Sequence, residues 1–353
     1  MTAGPISLDA FEAEVADTKD SEVLALLDAR RFDVNNPPPK PVPIWRVAGQ
    51  PIATAGNLVI IQAQAKAGKS AFVGAMLAST MGHHGDFLGL AGSNPNEGAV
   101  VHFDTEQSPA DHHALVAVAI RRVEFSEPPA WLRSYRLADV PTAQRRAAFV
   151  AELERSMVDH GRVCGAILDG VADLCIDPND ATEAFGLVEE LHGLAIRFHC
   201  PIVAILHENP GSEHGKTRGH LGSQLERKAE TNLRLEKDTE GIVTVSFGRA
   251  RHGHLPKDRG PRFAWDRDAG MMVSIETAAV FKEQAKTEEL RAVIDQIFSG
   301  KSPQSYTHLK TGILRLMRVK DRTAENRIRE AVESGLIRKT LQGEYEPIPQ
   351  NRK

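Results

Sequence analysis

The order of apolar and polar positions divides the chain into repeating strand and helix units. Four apolar runs too short for helices, at 58–61, 98–103, 163–168 and 200–206, read as strands buried on both faces. Helical spacing follows or precedes each of them. Residues 71–77 form one such pattern, and 142–158 another, with Phe149, Leu153 and Met157 on one side. Pro178, Asn179 and Asp180 cap a third, 181–198, whose apolar face includes Phe185, Val188, Leu191 and Leu194. Alternation of buried strands with amphipathic helices predicts an α/β core with a mostly parallel sheet.

Beyond that core pattern, 225–232 reads as a helix, and 232–236 and 242–247 as alternating strands joined by a turn at 238–241. A last strand pair is expected at 261–266 and 270–273. Outside the helix at 142–158, residues 126–160 read as connecting structure, and 208–223, rich in glycine and charge, as a surface loop.

Both ends differ in texture from this core. Leu8, Phe11, Val15, Val23, Leu24, Leu26 and Leu27 mark a small helical arm, and the prolines of 37–43 make a stiff linker after it. Whether the arm packs on its own core or docks on another subunit is left open by the pattern. From about Thr287, Leu290, Val293, Ile294 and Ile297 mark one helix, and Leu309, Ile313, Leu314 and Met317 a second. Residues 324–334 mark a third, followed by a hairpin turning at Gln342 and Gly343. Three helices and a hairpin resemble a winged helix. The expected organisation is therefore 1–38, 39–280 and 281–353.

Composition changes this picture little. At 41% hydrophobic and 25% charged residues, the 353-residue chain is an ordinary globular protein with room for a large core. A net charge of -4 does not by itself announce nucleic acid, though it can hide local asymmetry. Cys164, Cys175 and Cys200 lie in apolar surroundings without metal-ligand spacing, which implies buried thiols in a reducing compartment. No segment has signal-peptide layout or membrane-spanning length, so a cytoplasmic protein with no membrane partner is expected.

The chemistry is concentrated where the strands end. After the strand at 58–61 come Gln62, Ala63, Gln64, Ala65, Lys66, Ala67, Gly68, Lys69, Ser70 and Ala71. Strand, small-residue loop, Gly-Lys-Ser and helix form a P-loop layout. Backbone N–H groups of Ala63 to Ala71 would cradle the phosphates of ATP, Lys69 would reach the β- and γ-phosphates, and Ser70 would hold Mg²⁺. The pattern asks for glycine at position 63, where this chain has Ala63. A methyl is compatible with the loop as long as residue 63 stays in an allowed backbone region. The strand at 163–168 ends in Asp169, a layout that delivers a carboxylate to the metal shell. Glu106 lies just past the strand at 98–103, well placed to activate water.

Taken together, these residues resemble RecA-like P-loop ATPases. Glu106 followed by His112 and His113 is similar to the hexameric helicases of the plasmid RepA type. The resemblance covers roughly residues 40–275 and implies a RecA-like sheet flanked by helices, ATP and Mg²⁺ as ligands, and a homo-oligomeric ring, expected as a hexamer. It casts Glu106 as catalytic base and His207, at the end of the strand at 200–206, as a γ-phosphate sensor. It places a single-stranded DNA loop after His207, where Lys216 and Arg218 would contact phosphates. Arg249 and Arg251 match a basic pair that reaches the neighbouring subunit's γ-phosphate, with Arg218 and Arg227 as rivals. In the C-terminal module, Arg322, Arg327, Arg329, Arg338 and Lys339 would offer a basic face to duplex DNA. The alternative to a single-strand motor is a non-motor ATPase switch that recognises a duplex site through that module. His112 and His113 themselves read as structural or surface residues.

Overall fold

A computed structural model describes residues 21–82, 84–208, 217, 219–277, 289–299, 303–334, 336–340 and 342–348. The chain divides into two compact units, Met1–Pro41 and Val42–Lys353. In the first, residues 21–28 form a helix, α1, whose Val23, Leu24, Leu26 and Leu27 are each at least half exposed. The arm positions Leu8, Phe11 and Val15 lie outside the described residues.

The second unit is built on a nine-stranded sheet. Its strands are β3 (Leu58–Ala63), β5 (Ala99–Asp104), β6 (Leu132–Arg136), β7 (Val163–Asp169), β8 (Ile202–His207), β9 (Thr231–Lys237), β10 (Val243–Ala250), β11 (Arg262–Asp266) and β12 (Met271–Ile275). Their order is β12-β11-β10-β9-β3-β8-β7-β5-β6. From β9 to β6 every neighbouring pair is parallel, and β10 to β12 continue the sheet antiparallel. Insertion of β8 between β3 and β7 makes the order RecA-like. It sets the ends of β3, β8, β7 and β5 side by side.

Helices cover both faces. Alternate residues of β3 divide between the two cores. Val59 and Ile61 pack with Phe72, Val73 and Met76 of α2 (Lys69–Met81), while Leu58 and Ile60 join the layer of α4 (Thr142–His160) and α5 (Ala181–Arg197). Burial on both sides is why these strands read as continuous apolar runs rather than alternating ones. Two helix starts in these layers have a local cause: Ser108 accepts the Asp111 N–H at the head of α3 (Pro109–Arg122), and Asp180 accepts the Glu183 N–H at the head of α5.

Several expectations are corrected by tertiary pairing. The connecting stretch 126–160 contains β6, an edge strand, which pairs with β5. The helix expected at 225–232 is α6, Gly219–Lys228, and Thr231 already belongs to β9. A methyl on Gly222 would stand 2.4 Å from Thr217 Oγ1, so a glycine that reads as loop serves close packing. Phe185 is exposed, and the inward face of α5 is Ala184, Leu187, Val188, Leu191, Leu194 and Ala195. Met157 likewise faces outward, and Ser156 is buried in its place. A small sheet of β1 (Pro43–Val47), β2 (Gln50–Thr54) and β4 (Leu90–Gly92) went unpredicted. Its hairpin turns at Ala48 and Gly49, both at positive φ, without the Asn-Gly or Asp-Gly pair that marks such turns in sequence.

Towards the C-terminus lie α7 (residues 289–297), α8 (Tyr306–Met317), α9 (Asp321–Glu333) and a hairpin of β13 (Ile337–Lys339) and β14 (Tyr345–Pro347). They share a core of their own that includes Leu290, Ile294, Leu309, Ile313, Ile328 and Ile337.

Candidate functional site: a P-loop at the ends of four parallel strands

Residues Gln64 to Gly68 join β3 to α2 in a tight loop. Gly68 adopts φ 83°, and a methyl there would meet Phe263 and Val243, each at 3.1 Å. The positive φ favours glycine at this position, and the close approach of the two side chains reinforces it. Lys66 also takes positive φ, at 62°, which helps close the loop. Ala63 does not. It is the last residue of β3, extended and buried, paired with His207 on one side and Leu235 on the other. The backbone turns after residue 63, so alanine stands in the glycine position of the pattern without strain.

Lys69 opens α2, and its ammonium lies against the His207 ring, 2.9 Å from Nδ1 and 2.8 Å from Nε2. His207 Nε2 is 3.1 Å from Glu106 Oε1. Burial lowers the Lys69 pKa, against the opposing pull of Glu106 and Asp169. The His207 hydrogen bond, then the Lys69 charge, hold the Glu106 carboxyl below its usual range despite partial burial. Glu106 is thus a carboxylate already anchored on a cation and an imidazole.

Asp169 ends β7 and is buried. Thr105 ties that strand end to β5: its N–H donates to the Asp169 carbonyl at 3.0 Å, and its hydroxyl to the Asp173 carboxylate at 2.9 Å. Burial first, then the neighbouring Asp104 charge, push the Asp169 carboxyl up to about 7, against the pull of Lys69. A buried carboxylate so short of positive charge suits a bound cation. Among the described residues no group of three or more His, Cys, Asp or Glu could hold a metal on its own. One carboxylate and the exposed Ser70 hydroxyl, with the remaining ligands from water and phosphate, suit Mg²⁺ better than an all-protein cage does. Gln107 Nε2 reaches Ser70 Oγ at 3.3 Å, a contact between residues 37 apart that no local pattern signals.

This geometry gathers the P-loop, Glu106, Asp169 and His207 at the carboxyl ends of neighbouring parallel strands, the place where open α/β sheets bind ligands. The sequence matches the AAA_25 family, an AAA domain, over residues 19–213. The chain belongs to this AAA domain family. The P-loop and the sheet order described above are in line with that membership. A crystal structure of the RadB recombinase is similar at 18% identity with a TM-score of 0.45, covering 65% of this chain and 95% of that one. No protein of curated function matches.

The remaining predicted residues lie elsewhere. Arg249 and Arg251 are exposed at the far end of β10, where Arg249 pairs with Asn232 and Ala250 with Thr231. Thr231 in turn pairs with Val59, at the start of β3, whereas the P-loop leaves from its other end. Arg251 donates to the Lys228 carbonyl at 3.1 Å. Arg227 is exposed on α6. Lys216 and Arg218 lie outside the described residues. In the C-terminal module Arg322, Arg329 and Lys339 are exposed. Arg327 is paired with Glu330 at 2.7 Å and Arg338 with Glu346 at 2.6 Å. No helix among the described residues is long and apolar enough to cross a membrane.

Proposed function

We propose that this chain is an ATP-hydrolysing motor that acts on single-stranded DNA as a ring oligomer, resembling the RepA-type replicative helicases. The observation that carries the reading is the position of His207. It touches Lys69 and Glu106, and the chain then runs directly into 208–218, the stretch holding Lys216 and Arg218. A change at the γ-phosphate would thereby be one residue away from the stretch proposed to contact DNA.

In this reading, the phosphates of ATP occupy the loop 63–71, and Lys69 transfers its contact from His207 to the β- and γ-oxygens. Ser70 and Asp169 would hold Mg²⁺, which when bound neutralises charge on those oxygens. Glu106 orients the attacking water and takes its proton as the new oxygen–phosphorus bond forms and the bond to ADP breaks. His207 senses whether the γ-phosphate is present. Arg249 and Arg251 lie at the end of β10 remote from their own P-loop, so in this reading they reach the γ-phosphate of a neighbouring copy, with Arg218 and Arg227 as the rival trans fingers.

A second reading is favoured by the C-terminal module, whose three helices and hairpin resemble a winged helix. Its exposed Arg322, Arg329 and Lys339 suit duplex phosphates, as in a non-motor ATPase switch. Steady-state hydrolysis with and without single-stranded DNA, using Glu106→Gln as control, separates the two. Several-fold stimulation that the variant abolishes supports the motor. Slow turnover indifferent to single strands, with tight binding to a selected duplex, overturns it in favour of the switch.

A further inference from the structure

Beneath Glu106 runs a line of polar side chains that the nucleotide site leaves unused. Asp104, the last residue of β5, is fully buried. Its Oδ1 accepts the backbone N–H groups of Glu106 and Gln107, each at 3.0 Å. Its Oδ2 lies 3.1 Å from His112 Nδ1 on α3. On the other side of that ring, His112 Nε2 is 3.2 Å from Ser134 Oγ on β6, and Ser134 Oγ is 2.9 Å from His102 Nδ1 on β5. The rings of His102 and His112 stack with centroids 5.6 Å apart.

One proton arrangement satisfies the whole line. His102 Nε2 is buried and has no hydrogen-bond partner among the described residues, so it is the nitrogen that carries no proton. His102 Nδ1–H then donates to Ser134, the Ser134 hydroxyl donates to His112 Nε2, and His112 Nδ1–H donates to Asp104. Every donor points towards the buried carboxylate. With one oxygen occupied by two backbone amides and the other by an imidazole, Asp104 has a single orientation available. That orientation fixes the turn carrying Glu106, which reaches His207, and Gln107, which reaches Ser70.

We propose that His112 is a positioning residue for water activation, acting through Asp104 to set the turn from which Glu106 works. The proposal rests on the reading of Glu106 as the group that activates water. It differs from a packing role because the essential feature is one N–H donated to one carboxylate oxygen. Asparagine carries a donor near the place of Nδ1, whereas alanine carries none.

The test compares wild type, His112→Ala and His112→Asn in steady-state MgATP hydrolysis and in titration with a fluorescent ATP analogue. Thermal unfolding is recorded alongside. The expected result is a loss of about 10- to 100-fold in kcat for His112→Ala, the size of effect that a misplaced reacting group produces. Its KM and analogue Kd should stay within about twofold of wild type, and His112→Asn should recover kcat to within about threefold. Wild-type kcat in His112→Ala overturns the proposal and leaves the ATPase reading intact. So does parallel loss of nucleotide binding and cooperative unfolding in both variants, since that marks a structural role. A folded wild-type chain that binds the analogue without turning over MgATP overturns the proposal together with the reading beneath it.

Discussion

Glu106 and His207, 101 residues apart in sequence, meet at 3.1 Å beside the P-loop lysine. The contact places a carboxylate, an imidazole and an ammonium within one hydrogen-bonded cluster before any phosphate arrives. Glu106→Gln preserves shape and removes the basic oxygen. It should lower ATP turnover by at least about 100-fold, the range of general-base contributions, with nucleotide affinity changed less than threefold. Steady-state hydrolysis and analogue titration check this, and turnover near wild type would remove Glu106 from the chemistry.

Ala63 occupies the position where the P-loop pattern asks for glycine, yet it is an extended strand residue. Restoring the consensus with Ala63→Gly should therefore not improve nucleotide affinity beyond twofold. It should destabilise the chain by at most about 0.5–1 kcal/mol, the entropic cost of glycine inside a strand, since residue 63 closes β3. Denaturant unfolding and nucleotide titration measure both, and a tenfold gain in affinity would contradict the backbone argument.

Gly68 presents the opposite case. Its φ of 83° and the 3.1 Å approach of a methyl to Phe263 and Val243 leave no relaxed place for a side chain. Gly68→Ala should cost about 1–3 kcal/mol, the range for a non-glycine residue held in a sparsely populated backbone region. It should also weaken nucleotide binding by at least about tenfold, because the start of α2 must shift. Unfolding midpoints and titration together test it.

His102 gives the stability a pH dependence. Burial pushes its imidazole down from 6.5 to about 4, with the neighbouring Asp104 charge opposing and His112 reinforcing the shift. The unfolded chain therefore takes up this proton first as the pH falls. The stabilisation is complete above about pH 6.5 and is lost as the pH drops towards 4, by on the order of 3 kcal/mol at most. Stability measured between pH 4 and 7 should show that slope, and His102→Asn, which keeps a donor for Ser134, should flatten it.

How much was legible in advance depends on how local the cause is. The P-loop, Asp169 and His207 could be read because each follows a strand buried on both faces, and such strands leave a continuous apolar run in the sequence. Asp180 and its helix were legible for the same reason, since a capping side chain acts within four residues. Leu132–Arg136 was not, because an edge strand is half-exposed and its apolar signal is weak. Phe185 and Met157 kept the helical period but stand at the margin of their apolar stripes, and only the packed neighbours decide which side of a margin is covered. The basic character of Arg327 and Arg338 was visible, while their pairing with Glu330 and Glu346 was not.

By itself, then, the sequence determined the α/β class, the phosphate loop and the carboxylates and histidine at the strand ends, because strand burial, helix period and loop composition are properties of short segments. The tertiary structure alone decided that Ala63 can replace glycine, that β8 separates β3 from β7, and that Asp104, His112, Ser134 and His102 form one hydrogen-bonded line. Those outcomes depend on strand order and on contacts between residues far apart in the chain, and no local pattern encodes which strand end lies beside which.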